Sequence, residues 1–122
     1  LLAVAGVSLA LVGSSAWAHS DHGKPARGGV TAEAGAFQGE LVASGKTLTL
    51  WITEHGASVP TIGASGRLTV LAGSSPVEVD LLPAGENRLS ASLAASIPAA
   101  AKVAASVKLK DGRAGVLRFQ LK

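Results

Sequence analysis

Three histidines are the only imidazoles in this chain of 122 residues, and two of them fall in the short run His19-Ser20-Asp21-His22. With no Cys and no Met, the soft sulfur ligands that favour Cu(I) are missing, so any metal chemistry must use imidazole, carboxylate or amine. Each histidine has a carboxylate beside it, Asp21 for His19 and His22, and Glu54 for His55. A histidine at a free amino terminus is a chelate in itself, because its amine and its Nδ1 reach one ion together. A further imidazole from His22 or His55 completes a T-shaped nitrogen set, which suits Cu(II), the tightest binder among the divalent first-row ions at a comparable site. Asp21 and Glu54 are then outer-shell or auxiliary oxygen donors. A catalytic zinc site would want three fixed protein ligands, which a polar arm supplies poorly.

The terminus argument depends on processing. Residues 1–18 read as a secretory leader: the apolar run Leu1 to Val12, the break Gly13-Ser14-Ser15, then Ala16-Trp17-Ala18 with small residues where signal peptidase needs them. The apolar stretch falls short of the ~20 residues of a bilayer span. Cleavage after Ala18 makes His19 the first residue. Cleavage after Ala16 instead makes it the third, where the amine, two deprotonated amides and the imidazole form a square plane for Cu(II) or Ni(II). The expected location is the periplasm, with no membrane association once the leader is gone.

Other chemistries are poorly represented. There is no Gly-x-Ser-x-Gly elbow and no Cys nucleophile, and Glu78 and Asp80 alternate with Val77, Val79 and Leu81 as the solvent side of a strand. No enzyme is expected. The net charge of +3 comes from scattered Lys and Arg, with only Lys108, Lys110 and Arg113 close together. Phe37, Trp51 and Phe119 are too few and too dispersed for base stacking, so nucleic acid is not an expected partner.

The histidines must be held by the remaining chain. Residues 19–29 are polar and rich in Gly and Pro, an arm without a period of its own. From residue 30 to residue 122 short alternating segments take over. Leu48, Leu50 and Ile52 share one face of Lys46 to Thr53, and Thr47, Thr49, Trp51 and Thr53 the other. The pattern returns at Arg67 to Leu71, Val77 to Leu81, Val103 to Leu109 and Leu117 to Leu121. Gly73-Ser74-Ser75-Pro76 reads as one hairpin loop and Asp111-Gly112 as a type I′ turn. The Ala-rich stretch Ser92 to Ala101 is interrupted by Pro98, which leaves at most a turn of helix. Seven or eight short strands predict an all-β, immunoglobulin-like antiparallel sandwich. Its core should contain Leu48, Leu50, Val79, Val107 and Phe119.

In plan, an exported β domain starting with His and ending in the alternating strand Val116 to Lys122 is similar to the CopC-like copper-resistance proteins, immunoglobulin-like sandwiches that bind Cu(II) through an N-terminal His. The Asp-x-His pair of that family is absent; Lys110-Asp111-Gly112-Arg113 stands in its place. A closer likeness lies in His22-Gly23-Lys24-Pro25, Gly28-Gly29-Val30, Glu40-Leu41-Val42, Glu54-His55-Gly56 and Gly63-Ala64-Ser65-Gly66. That combination resembles small periplasmic proteins found beside heavy-metal efflux systems. The resemblance implies a metal-associated role and singles out His22 and His55. The expected function is binding or buffering of a divalent metal, foremost Cu(II), in support of efflux or resistance, with a metal-efflux component or another envelope protein as partner. The alternative is a metal-free interaction module of the cell envelope that docks through its strand edges or its Trp51 face. A carbohydrate-binding module would want several aromatic platforms, and Trp51 stands nearly alone. Mass spectrometry of the exported protein is expected to show a chain beginning at His19; an intact leader would remove the chelating amine.

Overall fold

A computed structural model describes residues 26–71 and 75–122. The expected leader, His19, Asp21 and His22, and residues 73 and 74 of the expected hairpin loop, lie outside the described residues. The chain is all-β. Nine strands follow in order: β1 (Val30–Glu33), β2 (Gln38–Ser44), β3 (Thr47–Glu54), β4 (Ala57–Ser58), β5 (Ser65–Leu71), β6 (Pro76–Pro83), β7 (Arg88–Ser92), β8 (Lys102–Lys108) and β9 (Ala114–Gln120). Every pairing is antiparallel.

The strands form one path in the order β1-β2-β3-β7-β6-β5-β8-β9, with β4 paired to β3. The path bends because β6 belongs to both halves: Pro76 to Leu81 pair with β5, while Leu82 and Pro83 pair with Ser90 and Leu89 of β7. At the far end β9 returns alongside β1. Gly115 sits so close to Ala34 that a Cβ there would lie 2.7 Å from the Ala34 Cβ. The two-layer body is therefore a nearly closed, barrel-like sheet, a plan not specific to immunoglobulin-like domains.

Alternation produced the core. Leu48, Leu50 and Ile52 are completely buried on β3, while Thr47, Thr49, Trp51 and Thr53 on its other face are half-buried. Val107 and Phe119 are buried as expected, but Val79 is only half-buried and Val77 is 47% exposed. The reason is the path of β6, which over Pro76 to Asp80 pairs with β5 alone; Leu81, at the crossing point, takes the core position.

Two local expectations change. No helix occurs among the described residues, and after Ser92 the Ala-rich stretch is spent on backbone bonds to the β2–β3 turn, Leu93 N–H to the Lys46 carbonyl at 2.8 Å and Ile97 N–H to that of Gly45 at 3.2 Å. The β8–β9 turn is not type I′, because only Gly112 has positive φ (96°). Leu109 N–H bonds the Arg113 carbonyl at 2.8 Å and Gly112 N–H that of Leu109 at 2.9 Å, a three-residue loop with glycine in the left-handed position.

Phe119 is 5% exposed and its ring closes over Gly39. Replacing it by Ala is expected to cost about 3–5 kcal/mol in denaturant unfolding. Reducing agent should leave the transition unmoved, since the chain contains no Cys.

Candidate functional site

On the outer face of β1, β2, β3 and β7, register aligns Thr31, Glu40, Trp51 and Arg88 in one row. Glu40 is a carboxylate on a strand face that should be wet, yet it is only 7% exposed. The chain itself covers it. Glu40 Oε1 accepts from Ala26 N–H at 3.1 Å, and Oε2 accepts from Arg27 N–H at 2.8 Å and from Gly29 N–H at 2.9 Å. Arg27 Nη1 lies 3.5 Å from Oε1, and the guanidinium stacks 4.6 Å above the Trp51 ring centroid. Burial pushes the Glu40 carboxyl up, but the N–H donors of Gly29, Arg27 and Ala26 and the Arg27 side chain together outweigh it, and the group is held below the ordinary glutamate range.

The two glycines make this clasp feasible. Gly28 has a φ of 74°, in the left-handed region. A Cβ on Gly29 would fall 2.2 Å from the Leu41 carbonyl oxygen. The backbone therefore approaches β2 at the one residue type that permits it.

Two residues along β2, on the same face, Gln38 Oε1 accepts from His55 N–H at 2.9 Å. His55 and Gly56 form the two-residue connection between Glu54 and Ala57, with φ values of 51° and 84°. Positive φ at both positions is the mark of a type I′ hairpin turn, and His tolerates that region better than most residues. The turn expected at Asp111-Gly112 is thus found at His55-Gly56, and it sets an exposed imidazole at the tip of a tight hairpin.

Glu54 is differently committed. Its Oε1 accepts from Arg113 Nη1 at 2.8 Å, and Arg113 also bonds Asp111 through Nε at 2.9 Å. A metal at Glu54 would compete with that guanidinium. Among the described residues no group of three or more His, Cys, Asp or Glu could hold a metal ion. Of the expected donors, only His55 and Glu54 lie among the described residues.

The arm root and the His55 turn border a single cleft of about 370 Å³, lined among others by Ala26, Arg27, Glu40, Trp51, Gly56 and Ser58. A second cleft of about 420 Å³ lies where Arg27 and Trp51 meet Pro60 and Asn87. Strand geometry puts Gln38 and Glu40 roughly 7 Å apart. The four residue-to-residue steps from His22 to Ala26 span up to about 13–14 Å of chain when extended. Ala26, the first described residue, thus lies on the side of the domain where the His55-Gly56 turn stands. Glu40 was not singled out from sequence as a site residue; the signal was present as an acid in a strand partnered with a Gly-Gly pair.

Comparison with protein-family models, with curated proteins and with solved structures found no match to this chain.

Because Glu40 is more acidic in the folded state, its contribution to stability is complete above the ordinary glutamate range and is lost as pH falls through the lower, folded value. Glu40→Gln leaves buried N–H donors poorly matched and should cost about 1–3 kcal/mol at neutral pH. The gap to the native protein should close in acid. Urea unfolding of both proteins across pH checks this.

Proposed function

We propose that this protein binds or buffers a divalent metal, foremost Cu(II), in the periplasm in support of metal efflux or resistance. The observation that carries the reading is the shared cleft: the root of the histidine-bearing arm is fastened beside the hairpin that presents His55. His19 would contribute its amine and Nδ1, and His22 or His55 a further imidazole. Asp21 would serve as an outer oxygen donor. Glu54, already joined to Arg113, would act through its charge rather than as a ligand.

A second feature supports nitrogen over oxygen ligation. Glu40, Glu54, Glu78, Asp80, Glu86 and Asp111 all lie within ion-pair distance of an arginine. The acids of the domain are largely engaged in holding structure, and a donor set of imidazole and amine favours Cu(II) over the harder divalent ions. The interaction-module alternative gains nothing from Trp51, whose ring is covered by Arg27.

Cu(II) titrated into the protein beginning at His19 should give a one-to-one complex and quench Trp51, which lines the cleft. Affinity should fall as pH drops through the histidine range, because protons compete for the nitrogens. One extra residue ahead of His19 and the substitution His55→Ala should each weaken binding. Affinity untouched by both changes would leave only non-specific carboxylate binding and would favour the interaction module.

A further inference from the structure

The geometry points to the free edge of β6 as a docking site for an extended segment of another protein, one in which basic residues alternate with apolar ones. This inference stands apart from the metal-binding reading. Over Pro76 to Leu81 the strand pairs with β5 on one side, and among the described residues no strand pairs with it on the other. Only Leu82 and Pro83 reach β7, so β6 and β7 diverge from that point as the arms of a fork. The chain after β7 is drawn instead to the β2–β3 turn, where Leu93 and Ile97 bond the carbonyls of Lys46 and Gly45.

The open side presents backbone groups to a partner. At the hairpin end Ala84 N–H donates to the Arg88 carbonyl at 2.9 Å, and strand alternation turns the N–H and C=O of Leu82, Asp80 and Glu78 the same way. Leu82 meets Ser90 of β7, whereas Asp80 and Glu78 face the opening. Pro76, next in that series, has no N–H to offer, which an edge strand tolerates. An added strand would also cover apolar surface. On the inner face, in line with the buried Leu81, Val77 is left exposed and Val79 half-buried.

Charge selects the occupant. On the outer face Glu78 and Asp80 share one guanidinium, that of Arg67, at 3.0 and 2.9 Å, so this stretch of edge keeps negative charge. A second copy pairing through its own β6 would set these acids opposite each other, which is destabilising. A strand with Lys or Arg opposite Glu78 and Asp80, and apolar residues between them beside Val77 and Val79, matches both faces and adds to the sheet through its main chain.

The probe is the synthetic peptide Thr-Val-Lys-Val-Lys-Val-Thr, added to the protein while amide hydrogen exchange is read residue by residue by NMR. In the protein alone the amides of Val77 and Val79, held by β5, should exchange slowly and those of Glu78 and Asp80 quickly. Saturating peptide should slow Glu78 and Asp80 by at least about tenfold. N-methylation of the peptide at its lysines, whose N–H groups face β6, should abolish binding, and N-methylation at its central valine should not. Glutamates in place of the lysines should also abolish it, and the pair Glu78→Lys and Asp80→Lys should reverse that preference. Glu78→Pro should weaken binding by roughly tenfold, because it removes an outward N–H and leaves the β5 ladder whole. The lysine pair, a surface change, carries the test if the proline variant does not fold. No slowing at millimolar peptide, or binding indifferent to N-methylation, overturns the docking edge. So does slow exchange of Glu78 and Asp80 in the protein alone: protection that grows with protein concentration would assign the edge to a second copy, and protection independent of it to the chain's own residues.

Discussion

A carboxylate withdrawn from water must find donors or take up a proton, and Glu40 finds them in the chain that precedes β1. Three backbone N–H groups and a guanidinium converge on its two oxygens, and hydrogen bonds to an ionised acceptor are about twice as strong as neutral ones. Several other features follow from this requirement. Gly28 must turn left-handed, Gly29 must lack a Cβ, and Arg27 must lie over Trp51. The arm's point of departure is a consequence of charge burial, not of strand pairing.

The domain can afford no looseness around that point, since no disulfide holds the sheet together. Closure comes from packing: β6 passes between the two halves, and β9 returns against β1 over small residues such as Gly115 and Ala34. Arg113 ties the β8–β9 turn to Glu54 at the end of β3 and so braces the hairpin that carries His55. The imidazole is thereby presented by a tight turn mounted on a central strand.

Chemistry divides along the same line. Arginines meet most of the acids of the domain, including the Arg67 fork that reaches Glu78 at 3.0 Å and Asp80 at 2.9 Å. Most carboxylates of the described residues are thus committed to structure. The nitrogen-rich donor set we propose would bind Cu(II) in a proton-sensitive way.

Strand periodicity was legible because it is local. Leu48, Leu50 and Ile52 alternate with Trp51 and Thr53 in the sequence itself, and the all-β antiparallel class follows from that repeat. The donor types were legible for the same reason, being a matter of which residues exist. Val79 was misplaced because its burial depends on where β6 leaves one neighbour for another. The type I′ geometry went to His55-Gly56 rather than Asp111-Gly112 because strand register, not the turn dipeptide, sets loop length. Glu40 was passed over because its partners stand 11 to 14 residues away, with no local pattern linking them. Sequence by itself determined which side-chain types are present and which segments would be strands. Only the tertiary structure decided that the arm root and the His55-Gly56 turn border one cleft, because that proximity arises from the β1–β2–β3 pairing and from a buried charge satisfied across it.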